Sequence, residues 1–197
     1  AEMAMNNARD VYTRRNEGVS IWVVRAADIV ASSPSDKGAL FEPAGRNTAA
    51  AVALATLRTL AGFGDSLMLV VPSDHEISTV RQFWQSVEAG AAVAREGRLV
   101  VFGIRPMQPE TGYGYIEVAA DRNGIFDVSR FVEKPDLATA QRYVDAGNFY
   151  WNTGIFLFRA SAMRDAFRAY QPAIWEAVEA AFEAATSPAK KKQLALE

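Results

Sequence analysis

Three short apolar runs constrain this chain more than any other feature. LMLVV, from Leu67 to Val71, closes on Pro72; LVVFGI runs from Leu99 to Ile104; and FYWNTGIFLF (149–158) reads as a turn leading into a third such run. A strand with one wet face alternates polar and apolar residues, whereas an unbroken apolar run reads as a strand buried on both faces. Helices must then cover the sheet from both sides. Between the first two runs, Ser78 or Thr79 caps a helix that reaches about Arg95 and stops at Gly97. Strand, helix, strand is a βαβ unit, and the expected class is α/β with a mostly parallel sheet and flanking helices.

The remaining segments fit around that frame. Ile21 to Val24 reads as a short strand and SSPSDKG as a loop. Asn47 or Thr48 caps a helix through about Leu60, which Gly62 and Gly64 end. RPMQPETGYG (105–114) is a loop rich in Pro and Gly. YIEV (115–118) and VSRFVE (128–133) flank Asp121-Arg122-Asn123-Gly124, a hairpin signal. Asp136 caps a helix to about Ala146, and two more helices, near 161–169 and 173–185, are separated by Pro172. There is no internal repeat and no clear domain boundary.

Composition narrows the functions. A length of 197 residues suits one domain, or one with an appendage, and the 50% hydrophobic content suffices for a core. A formal net charge of −2 gives no basic excess for nucleic acid. Cys is absent, which removes disulfides and thiolate metal sites, and the single histidine, His75, removes a His-rich metal site or a two-His mechanism. His75 is expected to be partly buried and hydrogen-bonded. No apolar run approaches the ~20 residues of a membrane span, and AEMAMNNARDVYTRR has no apolar signal core. A cytoplasmic protein with no membrane or nucleic-acid partner is the expectation.

Ligands of open α/β sheets bind beyond the carboxyl ends of strands. In VVPSDH, Asp74 sits just past a buried strand, where a carboxylate either holds Mg²⁺ or merely caps a turn. In FVEKP, strand alternation would send Glu133 and Lys134 to opposite faces unless the strand breaks before Pro135. A carboxylate accepts from sugar hydroxyls and an ammonium balances a phosphate; the plainer reading is an exposed ion pair. In ETGYGYI, Gly112 and Gly114 flank Tyr113, for close approach of a ligand or for a plain turn. In WNTGIFLF, Asn152 bonds a hydroxyl or closes the turn. In EPAGRNTAAAV (42–52), the helix start needs one cap, yet Glu42, Gly45, Arg46, Asn47 and Thr48 crowd there. Helix N-termini favour anions and Arg46 suits a phosphate. Glu42, an acceptor only, suits the N1 and N2 donors of guanine, or pairs locally with Arg46.

Taken in order, GRNTAAAVALA, VVPSDH, FGIRPMQPETGYGYIEV, RFVEKPD and YWNTGIFLFRA closely resemble the sugar nucleotidyltransferase family, over roughly Leu40 to Phe182. Within it they are most similar to the mannose-1-phosphate guanylyltransferase branch. The resemblance implies a Rossmann-like domain that uses Mg²⁺ and converts GTP and mannose 1-phosphate to GDP-mannose and pyrophosphate. Carried over by motif, Asp74 holds the metal and, with Lys134, serves the chemistry, Lys134 meeting the sugar phosphate. Glu42, Gly45, Arg46, Asn47 and Thr48 lie along the nucleotide, with Glu42 and Gly45 nearest the base. Tyr113, Gly114, Glu133 and Asn152 line the sugar.

This sequence also departs from the family pattern. No GGxGxRLWPLS loop is present, and residues 1–38 do not align with the family's beginning. A later metal-binding Asp and a C-terminal β-helix are missing, and Ala50 stands near a customary Pro. The implied organisation is a divergent segment 1–38, a nucleotidyltransferase-like domain 39–188 incomplete at both ends, and a polar tail 189–197. Weak activity of this chain alone is expected, and apolar residues left without partners favour self-association. Two other readings stay open: a non-catalytic sugar-nucleotide-binding or regulatory module, and a sister transferase with another sugar or base.

Overall fold

The three apolar runs become neighbouring strands of one sheet, with the third of them in the middle. The computed structural model describes residues 22–24, 47–72, 75–122 and 124–186. In chain order the elements are β1 (Trp22–Val24), α1 (Asn47–Phe63), β2 (Leu67–Val71), α2 (Val80–Arg95), β3 (Val100–Ile104), β4 (Tyr115–Arg122), β5 (Ile125–Val132), α3 (Leu137–Ala146), β6 (Phe149–Arg159), α4 (Ala160–Tyr170) and α5 (Pro172–Thr186). The sequence boundaries hold to within a few residues. The hairpin strands are longer than expected, and α1 starts at Asn47, so Asn47 and Thr48 stand in its first turn.

Burial on both faces explains the apolar runs. Along β2, Met68 and Val70 face one way and join Val52, Ala53, Ala55 and Leu57 of α1, Phe158, Phe167 of α4 and Trp175 of α5. Leu69 faces the other way and joins Val87, Ala91 and Ala94 of α2, with Ile155 and Leu157 of β6. Each fully buried Val, Leu, Ile, Phe or Met contributes about 1.5–3 kcal/mol relative to exposure, so Met68, Val70, Leu157 and Phe158 do not tolerate a polar residue cheaply, whereas Ile104, at 55% exposure, does not share that constraint. A third, smaller cluster packs α3 on the sheet through Tyr115, Ala140 and Phe149.

The α/β class with flanking helices is as expected. The mostly parallel pairing is not: every ladder among the described residues is antiparallel. β2 and β3 do run in the same direction, joined by the crossover helix α2, but β6 lies between them and bonds to both. An apolar run reports burial and not the direction of its neighbour, which is why the sequence pattern could not separate the two arrangements. The eleven-residue β6 changes partner along one edge. Its first part pairs β4 (Tyr115↔Trp151) and its last part pairs β2 (Leu69↔Leu157), while β3 runs along the opposite edge.

Two caps fix the helices around β6. Asp136 accepts from the Thr139 N–H at 2.7 Å, as expected from its position before α3. Helix α4 is capped from a distance. Asp65, in the turn between α1 and β2, accepts from the Ser161 N–H at 2.9 Å and hydroxyl at 2.8 Å, and pairs with Arg159 at 2.5 Å. No helix among the described residues is long and apolar enough to cross a membrane.

Candidate functional site

Strand register assembles the site. Tyr115 pairs with Val132 of β5 on one side and with Trp151 of β6 on the other. One residue further along, the same register places Gly114 between Glu133 and Asn152. The Asn152 N–H donates to the Gly114 carbonyl at 2.8 Å, which confirms the row. Three motifs far apart in sequence, ETGYG, FVEKP and YWNTG, therefore converge at one end of the β5–β4–β6 ladder.

Gly114 is the gap in that row. A Cβ there would lie 2.9 Å from Glu133 Oε2 and 3.7 Å from Asn152 Cβ. The bare backbone lets the Glu133 carboxylate lie over it, beside the Asn152 side chain. The group that approaches the bare backbone is thus the chain's own carboxylate.

The strand does break before Pro135, as the FVEKP reading required. β5 ends at Val132, and Lys134 takes φ 42°, the left-handed region that side chains rarely adopt. Pro135 is buried and anchors the turn. The twist puts Lys134 Nζ 3.6 Å from Glu133 Oε1, so the carboxylate has one oxygen toward the ammonium and the other over Gly114. Both side chains are well exposed, at 63% and 74%. The two therefore form the exposed ion pair of the plainer reading, which adds little stability, over a backbone angle that side chains rarely adopt.

Tyr113 is half exposed, and its ring meets Trp151 edge to face, centroids 5.3 Å apart. Asn152 closes its turn: Oδ1 accepts from the Gly154 N–H at 3.0 Å. That bond fixes which end of the amide is oxygen and leaves Nδ2 as the donor end, so the two readings of Asn152 are compatible. The rim thus combines an anionic acceptor (Glu133), an amide donor (Asn152), an aromatic face (Tyr113) and a cation (Lys134). These groups suit a hydroxyl-rich ring bearing a phosphate.

Other expected residues stand elsewhere. Glu42, Gly45, Arg46 and Asp74 lie outside the described residues. Asn47 and Thr48 open α1, Thr48 half-buried. Pro72, which ends β2, lies 3.5 Å from where a Gly154 Cβ would stand, so the end of LMLVVP packs against the NTG turn. His75 is exposed, not partly buried, because it falls beyond β2 and before α2, where neither core cluster reaches. No group of three or more His, Cys, Asp or Glu side chains gathers among the described residues. Trp151, which backs Tyr113, and Thr153, described below, were missed by sequence reasoning. Their only signal was position, on either side of Asn152.

Comparison with known proteins agrees with the motif reading. The nucleotidyl transferase family profile matches residues 26–193. A second profile, phenylacetic acid degradation B, matches residues 1–49, of which only 22–24 and 47–49 are described. Xanthan biosynthesis protein XanB of Xanthomonas campestris is 54% identical over 73% of this chain and 31% of its own length. Mannose-1-phosphate guanylyltransferase of Escherichia coli is 47% identical over 74% of this chain and 32% of its own. The chain thus spans about a third of these relatives. Among solved structures, mannose-1-phosphate geranyltransferase from Thermus thermophilus superposes with TM-score 0.70 at 33% identity, over 85% of this chain and 50% of that one. The family profile covers most of the chain, three of the five motifs meet at one rim of the sheet, and the fold is shared with a solved relative: the chain belongs to the nucleotidyl transferase family.

Proposed function

We propose that this chain forms part of a nucleotidyl transferase that makes GDP-mannose from GTP and mannose 1-phosphate. The observation that carries the reading is the cross-strand row of Glu133, Gly114 and Asn152 with Lys134 beside it. Glu133 accepts from sugar hydroxyls, Asn152 donates to one, Tyr113 borders the ring, and Lys134 neutralises the sugar phosphate. A phosphate oxygen of mannose 1-phosphate attacks the α-phosphorus of GTP. The bond from that phosphorus to the bridging oxygen breaks, and pyrophosphate leaves with the electron pair. The residues at the rim do no covalent chemistry; they orient the nucleophile and offset its charge, which is where protein catalysis of phosphoryl transfer chiefly lies.

Glu42 and Gly45 are assigned to the guanine and Arg46, Asn47 and Thr48 to the remainder of the nucleotide, on motif grounds. Asp74 is assigned to Mg²⁺, which neutralises phosphate charge when bound, and the setting is cytoplasmic. The relative named mannose-1-phosphate guanylyltransferase supports the choice of sugar and base.

Calorimetry decides the binding half of this reading. GDP-mannose should bind the chain with Mg²⁺ present and more tightly than UDP-glucose. No detectable binding, or preference for UDP-glucose, would overturn it. Pyrophosphate release from GTP and mannose 1-phosphate then measures how much turnover these residues support.

A further inference from the structure

Strand β6 carries an insertion beside the rim. Its ladder with β3 pairs Gly103 with Asn152 and then Val101 with Phe156. Between those pairs β3 has only Phe102, while β6 has Thr153, Gly154 and Ile155. The bulge falls where β6 leaves β4 and joins β2 on its other edge. An interruption of this kind takes backbone N–H groups away from the ladder, and they must be met by other acceptors.

Two consecutive side chains supply them. Asn152 Oδ1 accepts from the Gly154 N–H at 3.0 Å, and Thr153 Oγ1 accepts from the Ile155 N–H at 3.2 Å. The Thr153 hydroxyl then donates its own proton across the gap to the Phe102 carbonyl at 2.7 Å. One hydroxyl therefore ties the bulge to itself and to β3. Gly154, at φ 67°, supplies a backbone angle that a side chain would resist.

The Asn152 amide depends on this arrangement. Its oxygen is held by the Gly154 N–H, and Gly154 is placed by the bulge that Thr153 braces. We propose that Thr153 is a positioning residue, which through the bulge holds the Asn152 amide as a hydrogen-bond donor to the sugar of a nucleotide-sugar, opposite the Glu133 acceptor. The proposal rests on the reading of the rim as the sugar site, and it adds a residue that touches no ligand.

Thr153→Val removes the hydroxyl and keeps the shape; Thr153→Ser keeps the hydroxyl; Thr153→Ala serves if the valine variant does not fold. In the full chain, amide exchange at Gly154 and Ile155 is followed by NMR without ligand, and GDP-mannose affinity by calorimetry. The valine variant should exchange those two amides roughly tenfold faster and bind GDP-mannose about tenfold more weakly, and the serine variant should restore both. Unchanged protection at Gly154 and Ile155 overturns the bracing role. Lost protection with unchanged affinity overturns the link to the sugar. If the unaltered chain fails to bind GDP-mannose, the sugar reading and the ligand half of this proposal fall together, while the exchange data still decide the hold of Thr153 on the bulge.

Discussion

The Glu133 carboxylate lies over Gly114, with Oε2 2.9 Å from where a Cβ would stand. Gly114 does not occupy the left-handed region, so an alanine there meets no backbone penalty. The atom it would crowd is the far end of a flexible side chain. Gly114→Ala should therefore change stability by less than about 1 kcal/mol while displacing the carboxylate. GDP-mannose affinity should fall roughly tenfold. Thermal unfolding and calorimetry on the same preparation check the two halves, and a variant that binds normally would show that the gap has no role.

Lys134 is the one non-glycine residue at positive φ among the described residues. Strain of this sort costs on the order of 1 kcal/mol, and glycine relieves it. Lys134→Gly should leave the fold as stable or more stable by up to about 1 kcal/mol, and should weaken mannose 1-phosphate binding because the ammonium is gone. Denaturant titration beside ligand titration measures both. A marked loss of stability would mean that the lysine side chain holds the turn.

Asp65 gives the fold an acid-sensitive joint. Burial pushes its carboxyl up, but the bonds from Ser161 and the charge of Arg159 outweigh burial and hold it below the ordinary carboxylate value. The charged form is thus favoured by folding. Its contribution is complete above the unfolded value of about 3.9 and is lost as pH falls through the lower folded value. Asp65→Ala should cost about 1–2 kcal/mol at neutral pH, the usual price of a lost helix cap, and should flatten the loss of stability below about pH 4. Melting curves from pH 7 to pH 3 test this; parallel curves for the two proteins would exclude it.

The base assignment rests on Glu42. Replacing its carboxylate by an amide swaps one of two acceptor oxygens for a donor, which no longer matches adjacent donors on guanine. Glu42→Gln should narrow the preference for GTP over UTP by roughly tenfold. Competition binding of the two nucleotides reads this directly, and an unaltered ratio would remove Glu42 as the base reader.

Local signals predicted local structure well. LMLVV became a buried strand because its apolar run reports burial. LVVFGI became a strand that is only partly buried and ends exposed at Gly103 and Ile104, since it pairs with β6 alone among the described residues. Asp136 capped α3 because a cap needs only its own first turn. What stayed hidden was long-range. Nothing in FYWNTGIFLF says that it will lie antiparallel between the two earlier strands, since that choice is made by hydrogen bonding between distant segments. The capping of α4 by Asp65, ninety-six positions before Ser161, is equally invisible to a local rule. At the rim, Glu133, Lys134, Gly114 and Asn152 were each legible as unusual residues near strand ends. Their meeting in one row needed the register, and the hydroxyl of Thr153 looked like an ordinary strand residue until the bulge was seen.

Because β6 bonds to β2, β3 and β4 alike, the order in which the chain leaves the ribosome matters. β2, β3 and β4 emerge before the strand that unites them, and the interval from Val71 to Arg159 takes on the order of 10 s to translate. During that time two highly apolar strands wait with open edges. The nascent protein is therefore a candidate for chaperone engagement until Arg159 is synthesised, and a ribosome stalled just before β6 should present its most aggregation-prone form.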